Sequence, residues 1–530
     1  MRFYAANQWQ INDHPTLFPY SFTCKRKQWL IPERLLPSSM STHNIKCSSL
    51  IRLSDYPSTK WYFPNVNKNY QPEKALKNML TGRLLLLDEV VQKIPLNLIH
   101  EHVANGYIQY KAGLDFTTSE PTCNRCGNND SFLFGQLTCS RCKKSCIYCR
   151  ACLMMGRVTS CTPLLTWEGK KERVMTVPQM AWTGSLTSEQ EKASKFLRRQ
   201  LGMLKERKEC LIWAVCGAGK TEMLYSLIER ALKAQFPILI ATPRTDVVLE
   251  LIPRLKASFP NTDVNGFYGG ISEEARYAQS QIYVATTHQV LRYSRFFPLV
   301  IIDEVDAFPY THDKKLQFAI ERARTSQSLT VYLTATPSKA FKKKVKNKEL
   351  AYVKVTQRYH GHPLPEPQLI WIGNWRKKLS KNHLPLPLTS WLSKHLNDHK
   401  QILLFFPAVN VMKIAEKIIK TVFKQQKVDA VYAEEVERRE KVMRFRNGNT
   451  RLLLTTTILE RGITIKDIQV AVLGAEDTIF TEAALVQIAG RAGRSPIAPE
   501  GDVSYFHHGK TKAMVDAVNH IKRMNDTFLT

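Results

Sequence analysis

Eight cysteines between residues 123 and 161 constrain the fold of this 530-residue chain more strongly than any other feature. Six form three pairs with two residues between the partners, and two stand singly: Cys123/Cys126, Cys139/Cys142, Cys149/Cys152, Cys146 and Cys161. A two-residue gap lets both thiolates of a tight turn point at one tetrahedral ion. Eight thiolates suit two zinc ions in closed shells. Bound metal would supply folding energy that the few large apolar residues of this segment cannot.

The spacing leaves the partners of each cysteine open. The first two pairs could share one ion, or the sites could nest, with the first pair meeting the third. An iron–sulfur cluster is the alternative metal group, and buried cysteines without metal are the alternative to any metal site. The remaining cysteines are isolated in the sequence and are interpreted as ordinary ones: Cys24, Cys47, Cys210 and Cys216.

The N-terminal stretch MRFYAANQWQINDHPTLFPY contains no basic segment followed by an uninterrupted apolar one, so no secretory signal is predicted. No apolar run reaches the ~18 residues that a membrane-spanning helix needs. The nearest, LLLLDEVV, is broken by Asp88 and Glu89. We therefore expect a cytosolic protein whose thiols stay reduced, which excludes disulfides in the cysteine cluster.

The chain is strongly basic, with 76 lysines and arginines against 46 acidic residues and a formal charge of +30. Such a surplus is typical of proteins that bind phosphate polyanions. Acidic membrane surfaces are the competing interpretation, and we favour nucleic acid.

From about residue 180, apolar strands alternate with amphipathic helices in two series. The first series contains LIWAV (211–215), PILIATP (237–243), QIYVATT (281–287), PLVIIDE (298–304) and LTVYLTAT (329–336). The second contains QILLFFPA (401–408), DAVYA (429–433), RLLLTTT (451–457) and VAVLGA (470–475). This alternation predicts an α/β fold with two parallel-sheet domains, joined by a proline-containing connection.

A phosphate-binding loop is predicted at AVCGAGKT, between a strand and a helix. Its glycines let the backbone wrap phosphates, and the N–H groups at the helix start point at the anion. Lys220 would neutralise the β- and γ-phosphates, and Thr221 would hold Mg²⁺. Ala214 stands where the general pattern has its first glycine. The predicted ATP-binding residues in this loop are Ala214, Gly217, Ala218, Gly219, Lys220 and Thr221.

Two further motifs carry catalytic side chains. The strand LVII ends at Asp303 and Glu304; the first would bind Mg²⁺, through water, and the second would orient the attacking water. The segment QIAGRAGR, from Gln487 to Arg494, is predicted to be helical, with Arg491 and Arg494 on one face. These arginines could reach across a cleft to the γ-phosphate.

As an ordered set, AVCGAGKT, DEVD, TAT (334–336), TTTILERGIT (455–464) and QIAGRAGR resemble the superfamily 2 helicases. The resemblance implies two RecA-like domains that clamp ATP between them and move along a nucleic-acid strand. It implies that Thr334 and Thr336 couple hydrolysis to domain closure and that Gln190, in LTSEQ, reads adenine. It also implies strand-backbone contacts from Arg244, Thr287 and His288.

A narrower resemblance links the cysteine segment with YCRAC, WTGSLTSEQ, ATPRTDVVLEL, DEVDAFPY and QIAGRAGRS to the ComFA family, across about residues 75 to 525. It implies an ATPase that draws single-stranded transforming DNA into the cytosol. The implied cofactors are ATP, Mg²⁺ and one or two Zn²⁺. The implied partners are competence proteins, including the ComEC membrane channel and ComFC, at the inner face of the membrane; an oligomer is possible. The implied metal quartet is Cys123, Cys126, Cys149 and Cys152, leaving Cys139, Cys142, Cys146 and Cys161 for a second site.

The resulting domain prediction has five parts: an N-terminal region of uncertain fold (1–118), a zinc-binding module (119–165), a first RecA-like domain (166–350), a connection (351–395) and a second RecA-like domain (396–530). ALKNMLTGRLLLLDEVVQKIP is predicted to be helical. Because the nucleotide motifs follow residue 180, we expect the motor fold to survive loss of metal.

Two other functions remain open. A replication-restart helicase of the PriA type also has eight zinc cysteines, but there they interrupt the second motor domain. A DNA-binding assembly factor with a vestigial ATPase is the non-enzyme alternative, and the intact Lys220, Asp303 and Glu304 argue against it.

Overall fold

Two parallel sheets form the body of the protein in the computed structural model, which describes residues 1–7, 22–24, 28–36, 50–55, 61–170, 178–460, 467–496 and 498–529. The first sheet has seven strands, in the spatial order Val264–Phe267, Ile282–Thr286, Ile238–Thr242, Phe297–Ile302, Arg324–Thr334, Arg207–Ala214 and Ala351–Val355. All of its strand pairs are parallel. We call this part the first motor domain.

Helices cover both faces of the first sheet, which explains why its strands are apolar throughout rather than alternating. In the strand Ile238–Thr242, Ile238 and Ile240 pack into one core, while Leu239 and Ala241 pack into the core on the opposite face. The helices of this domain are Ser188–Gly202, Lys220–Lys233, Thr245–Ser258, Glu273–Arg276, Lys314–Ala323 and Lys339–Lys346.

The second motor domain is built on a parallel sheet of six strands, in the order Gln368–Trp371, Val503–His507, Ile468–Leu473, Gln401–Phe405, Leu452–Thr455 and Val428–Val431. Its helices are Trp375–Ser380, Leu386–Asn397, Val409–Val422, Arg438–Arg446, Glu482–Ala489 and Lys512–Leu529. Leu403 and Leu485 of this domain share one apolar core with Ile212 and Leu227 of the first. The two predicted parallel-sheet domains are therefore confirmed and pack against each other.

The predicted connection of residues 351–395 is more than a linker. Ala351–Val355 forms the edge strand of the first sheet, and Gln368–Trp371 forms the edge strand of the second. The chain that truly passes between the domains is thus limited to residues 356–367. The prediction missed both strands because edge strands are half exposed and lack the long apolar runs of the central strands.

The N-terminal region contains antiparallel sheets. One has five short strands, in the order Leu50–Ile51, Phe3–Asn7, Gln28–Pro32, Phe22–Cys24 and Trp61–Tyr62. Another has three strands, in the order Leu84–Leu86, Leu164–Trp167 and Ile108–Lys111. The short helices here are Lys74–Leu80, Leu87–Val90 and Leu96–Ala104.

Two sequence predictions in this region need correction. The segment predicted to be helical from residue 75 onwards is interrupted by the strand Leu84–Leu86, because its side chains are needed in the three-stranded sheet. The strand Leu164–Trp167 crosses the predicted end of the zinc-binding module at residue 165 and pairs with strands that precede the module. The cysteine segment is therefore an insertion within the N-terminal fold.

The cysteine segment itself consists of a small hairpin and a three-stranded sheet. Leu114–Asp115 pairs with Thr122–Cys123, and Phe134–Thr138, Ser145–Cys149 and Val158–Thr159 follow in that order. Short 3₁₀ helices lie at Ser131–Leu133 and Arg150–Met155. Residues 461–464 of the motif TTTILERGIT, and Cys47, lie outside the described residues.

Candidate functional site: an interdomain nucleotide cleft and two cysteine quartets

The phosphate loop connects the strand Arg207–Ala214 to the helix Lys220–Lys233. Gly217 and Gly219 have φ angles of +80° and +69°, a left-handed conformation that strongly favours glycine. Gly219 caps the helix, so the first N–H groups of that helix face the loop. Residues 216–221 all line the interdomain cleft. Ala214, which was predicted in this set, is fully buried in the strand and does not line the cleft.

Gln190 supports the phosphate loop from the neighbouring helix. Its Nε2 donates to the carbonyl of Ala218 at 2.8 Å, and its Oε1 accepts from the backbone N–H of Thr187 at 2.8 Å. This second contact belongs to a capping box, in which the Thr187 hydroxyl also accepts from the N–H of Gln190. The Gln190 side chain is buried and lines the cleft.

Asp303 and Glu304 follow the strand Phe297–Ile302 and line the same cleft. Asp303 Oδ1 accepts a hydrogen bond from the backbone N–H of Glu304 at 2.9 Å. Glu304 has φ +54°, an uncommon conformation for a residue with a side chain. Parallel sheets present such residues at the carboxyl ends of their strands, where ligands bind.

The arginine motif of the second domain faces the phosphate loop. The predicted helix ends at Ala489, so Arg491 and Arg494 lie in the turn after it rather than on one helical face. Arg491 donates from Nε and Nη2 to the carbonyl of Glu460, at 2.9 and 2.8 Å. Arg494 donates from Nε to the carbonyl of Gly490 at 2.9 Å. Gly493, between the two arginines, has a φ angle of +61°, a left-handed conformation that favours glycine.

Gln487, on the last turn of the helix Glu482–Ala489, is the third predicted catalytic residue of the second domain. The thiol of Cys216, inside the phosphate loop, donates to Gln487 Oε1 at 3.1 Å across the domain boundary. A Cβ added at Gly490 would lie 2.3 Å from Cys216 Cβ, so only glycine allows the two motifs to approach this closely. The phosphate loop and the arginine motif are therefore in direct contact.

The cleft between these motifs has a volume of about 480 Å³. Lys220, Arg491 and Arg494 line it together with Asp303 and Glu304. Burial and the neighbouring Arg494 guanidinium lower the pKa of Arg491 to about 9. The side chain therefore stays cationic at neutral pH, and its poor solvation favours a bound anion. The predicted catalytic residues thus line one cleft that favours the binding of an anion.

Thr334 and Thr336 both bind one carboxylate. Thr334 Oγ1 donates to Asp306 Oδ1 at 2.5 Å, and Thr336 Oγ1 donates to Asp306 Oδ2 at 2.7 Å. Asp306 is the last residue of the DEVD motif that supplies Asp303 and Glu304. The TAT motif and the acidic motif are thereby joined by two charge-assisted hydrogen bonds.

The three residues predicted to contact the nucleic-acid strand are in different environments. Arg244 donates to the carbonyl of Ile458 at 2.7 Å and to Glu460 Oε1 at 3.1 Å, both in the second domain. Thr287 is fully buried, so its side chain is not presented to a ligand. His288 is partly exposed; burial and the nearby Lys315 lower its pKa. All three follow neighbouring strands, because the N–H of Thr287 donates to the carbonyl of Thr242 at 3.0 Å, but their side chains differ in burial and in partners.

The eight cysteines form two quartets: Cys123, Cys126, Cys149 and Cys152, and Cys139, Cys142, Cys146 and Cys161. Within each quartet all four sulfurs lie within 4.8 Å of one another. Sulfur–sulfur distances of 3.8 Å (Cys123–Cys152) and 3.6 Å (Cys126–Cys149) match the separation of about 3.8 Å that tetrahedral zinc with Zn–S bonds of about 2.3 Å requires. The nested arrangement is the one observed. In the second quartet the sulfurs of Cys139 and Cys161 are 3.6 Å apart and those of Cys142 and Cys146 3.2 Å apart, and four thiolates in each quartet form a donor set typical of structural zinc.

The two quartets pack against different parts of the molecule. The first lies in the same apolar core as Leu239 and Tyr283 of the first motor sheet. Arg322, on the helix Lys314–Ala323, donates to the carbonyls of Asn124 and Arg125 between two of its cysteines. This shared core argues against the expectation that the motor fold is independent of the metal site.

The second quartet lies against the N-terminal region. Arg52 donates from Nη1 to the carbonyl of Ser145 at 3.0 Å and approaches Cys146 Sγ at 3.8 Å. The hydroxyl of Ser54 donates to the carbonyl of Ser160. A metal ion here would fix the cysteine segment to the N-terminal sheets.

Among the residues that sequence reasoning did not single out are Trp182, Cys216 and Tyr359, which line the cleft, and Asp306, which binds Thr334 and Thr336. Cys216 lies inside the motif AVCGAGKT and Asp306 inside DEVD, so their positions in these motifs could have identified them as site residues. Trp182 lines the cleft and packs edge-on against Tyr225, with ring centroids 5.5 Å apart. Tyr359 follows the edge strand Ala351–Val355 and has no local sequence signal.

Three family models match the chain. Residues 67–166 match the N-terminal domain of the competence protein ComFA. Residues 183–339 match the res subunit of type III restriction enzymes, and residues 387–496 match the conserved helicase C-terminal domain. The last two matches cover six of the seven strands of the first sheet and four of the six strands of the second. The chain is therefore an ATP-hydrolysing enzyme of the helicase type.

Whole-chain comparisons give the same relatives. The chain is 46% identical to the competence protein ComFA of Bacillus subtilis, over 87% of this chain and 97% of that protein. It is 35% identical to the ComFA of Streptococcus pneumoniae, over 74% of this chain and 91% of that protein. Among solved structures, S. cerevisiae Dbp5 bound to RNA and ADP BeF3 aligns with a TM-score of 0.47 and 16% identity, covering 64% of this chain and 92% of that one. On its sequence relatives, the chain belongs to the ComFA family of competence proteins.

Proposed function

We propose that this chain is an ATP-driven translocase that pulls single-stranded transforming DNA into the cytosol during natural competence. The observation that carries the proposal is the cleft, in which the phosphate loop of one motor domain meets the arginine motif of the other. Such a cleft lets one nucleotide contact both domains, so hydrolysis changes their separation.

The residues of the first domain divide the work of hydrolysis. The phosphate-loop N–H groups and Lys220 bind the β- and γ-phosphates of ATP. Thr221 and Asp303 would hold Mg²⁺, Asp303 through water, and the bound ion would neutralise phosphate charge. Glu304 is the carboxylate that orients the attacking water. Gln190 keeps the loop in shape through its bond to Ala218 and, by family resemblance, reads adenine.

The residues of the second domain stabilise the charge that develops during transfer. Arg491 and Arg494 approach from the opposite side of the cleft and Gln487 contacts the loop itself. The Asp306 carboxylate joins the TAT motif to the acidic motif, so movement of one is transmitted to the other. Thr334 and Thr336 thus act as coupling residues through Asp306.

Single-stranded DNA is the substrate that best fits the remaining features. A formal charge of +30 supports sequence-independent backbone binding. The family supplies the context of competence, in which the ComEC channel and ComFC would be partners at the inner face of the membrane. Among the described residues, no helix is both long enough and apolar enough to cross a membrane. Attachment to the membrane, like any oligomer, would depend on partner contacts.

Two zinc ions complete the proposal, one in each cysteine quartet. Four thiolates close each coordination shell, so the ions have a structural role and leave no position for substrate. The first would stabilise the junction with the first motor domain and the second the junction with the N-terminal sheets.

A replication-restart helicase of the PriA type is the alternative function. The order of the chain counts against it, because the cysteine segment precedes both motor domains rather than interrupting the second. A common test separates the two proposals: a restart helicase would act on branched duplexes, whereas an uptake motor would need a free single strand.

The experiment compares ATP turnover without nucleic acid and with single-stranded DNA, duplex DNA, branched DNA and RNA. Stimulation by single-stranded DNA of any sequence, with affinity falling by about 0.7 log units per phosphate contact for each tenfold rise in salt, is expected. Lys220→Ala provides the background rate. Stimulation by branched DNA alone, by RNA alone, or an affinity that does not respond to salt would overturn the proposal.

A further inference from the structure

The segment that joins the two motor domains is fixed to the nucleotide side of the first. The carboxylate of Glu189 accepts from the backbone N–H of Thr356 at 2.8 Å, from its hydroxyl at 3.0 Å and from the N–H of Gln357 at 2.9 Å. Glu189 immediately precedes Gln190, which holds the phosphate loop. The start of the segment is therefore tied to the helix that supports the loop.

The next residues of the segment reach the phosphate loop directly. The backbone N–H of Tyr359 donates to the carbonyl of Gly217 at 3.0 Å. A Cβ added at Gly217 would lie 3.4 Å from Nε of Arg358, so the guanidinium packs against this glycine of the loop. Arg358 Nε makes no hydrogen bond within the described part of the chain.

The other end of the Arg358 side chain holds the arginine motif. Nη2 donates to the carbonyls of Ala492, at 3.0 Å, and Gly493, and Nη1 donates to the carbonyl of Pro363 at 3.1 Å. Ala492 and Gly493 are the two residues between Arg491 and Arg494. The side chain of Arg358 is only 1% exposed, so these carbonyls depend on it rather than on water.

A second contact from the same segment reaches the same turn. The hydroxyl of Tyr359 donates to the carbonyl of Arg494 at 3.3 Å. The segment therefore binds the phosphate loop with its backbone and the arginine turn with two side chains. Burial and the Arg494 guanidinium lower the pKa of Arg358 to about 10, which leaves it charged at neutral pH.

We propose that Arg358 is a positioning residue for ATP hydrolysis. Its guanidinium sets the distance between the phosphate loop and the turn that carries Arg491 and Arg494. A rigid fork of donors can bind several carbonyls at once, which one ammonium group cannot. Hydrolysis depends steeply on the placement of charges around the transferred phosphate. Arg358 thus acts through the two arginines without touching ATP. The inference rests on the catalytic roles proposed above for Arg491 and Arg494.

The test compares two buried arginines with equivalent surroundings. Arg83 is also 1% exposed and donates to three carbonyls, those of Asn78, Met79 and Ala278, far from the cleft. For Arg358→Lys, we expect kcat at saturating single-stranded DNA to fall at least about tenfold while KM for ATP changes less than about threefold. For Arg83→Lys, we expect a lower thermal midpoint with kcat per folded molecule unchanged.

A milder variant keeps the inference testable if Arg358→Lys fails to fold. Tyr359→Phe removes only the bond to the Arg494 carbonyl, and the ring is already about half exposed. We expect its kcat to fall several-fold with an unchanged thermal midpoint and unchanged affinity for a fluorescent ATP analogue. If Arg358→Lys lowers the midpoint alone, as Arg83→Lys does, or if Tyr359→Phe retains full kcat, the positioning role is refuted.

The outcome for the catalytic arginines separates the two proposals. If Arg491→Ala and Arg494→Ala both hydrolyse ATP at the parent rate, the proposed function of the cleft fails. If these variants are inactive while Arg358→Lys and Tyr359→Phe retain parent kcat, only the positioning inference fails.

Discussion

Arg244 of the first motor domain donates a hydrogen bond to the Glu460 carboxylate of the second at 3.1 Å. The same guanidinium donates to the carbonyl of Ile458 at 2.7 Å, so the residue fastens the two domains together. The side chains of Arg244 and Glu460 are 21% and 11% exposed, which places the pair between a surface ion pair and a buried one. In this conformation Arg244, which was predicted to contact the nucleic-acid strand, instead joins the two motor domains.

We expect Glu460→Gln to lower the rate of ATP hydrolysis without DNA, because the arginine motif is then held less firmly against the loop. A loss of about 1 kcal/mol corresponds to roughly a fivefold change in rate. Glu229→Gln, which breaks an exposed ion pair with Lys233 in the first domain, serves as the control and should leave the rate unchanged. An unaltered basal rate in Glu460→Gln would show that closure does not depend on this pair.

Lys220→Ala and Glu304→Gln should both abolish turnover but differ in nucleotide binding. Loss of Lys220 removes a charge beside the phosphates and should weaken ATP affinity at least tenfold, about 1.4 kcal/mol. Glu304→Gln should retain ATP, since Asp303 still serves the metal. Fluorescent-nucleotide titration with a hydrolysis assay distinguishes the two. Hydrolysis by Glu304→Gln near the parent rate would remove the water-orienting role from Glu304.

Asp306→Asn should separate hydrolysis from movement. The carboxylate accepts from both Thr334 and Thr336, whereas the carboxamide has one accepting oxygen and an amino group that cannot accept. Charge-assisted hydrogen bonds contribute about 1.5–3 kcal/mol each. We expect movement along DNA per ATP hydrolysed to fall about tenfold. Asp477→Asn, at an exposed ion pair with Arg376, is the control. Normal movement per ATP in Asp306→Asn would contradict the coupling role.

Cysteine substitutions should remove one zinc ion at a time. Cys126→Ser and Cys152→Ser should lose the same ion, and Cys142→Ser the other, as measured by metal content. Because the first quartet shares a core with the first motor domain, Cys126→Ser should also lower its thermal midpoint by more than about 5 °C. Cys142→Ser should affect the motor less. Additive metal loss from Cys126→Ser and Cys152→Ser in the double variant would contradict the observed quartets.

Local features of the sequence determined the elements of the two motor sheets and the motifs between them. The strand Ile238–Thr242 is apolar on both faces, and Gly217 and Gly219 can adopt left-handed backbone angles. The strand and the phosphate loop can therefore be predicted without knowledge of distant contacts. The eight cysteines likewise predicted a metal-binding segment. Spacing alone left their pairing open, and the family resemblance favoured the nested pairing that the structure then showed.

Tertiary structure alone decided how distant motifs meet. Cys216 and Gln487 are 271 residues apart, and their contact depends on how two sheets pack, which no local periodicity encodes. The same holds for Arg358, whose carbonyl partners lie 134 and 135 residues away and whose neighbours form a half-exposed edge strand. Arg491 and Arg494 reached the cleft from a turn rather than a predicted helix: Gly490 leaves room for Cys216 of the phosphate loop, and Gly493 adopts a left-handed φ of +61°. Side-chain chemistry could be predicted from the chain, whereas its spatial partners were fixed by packing between domains.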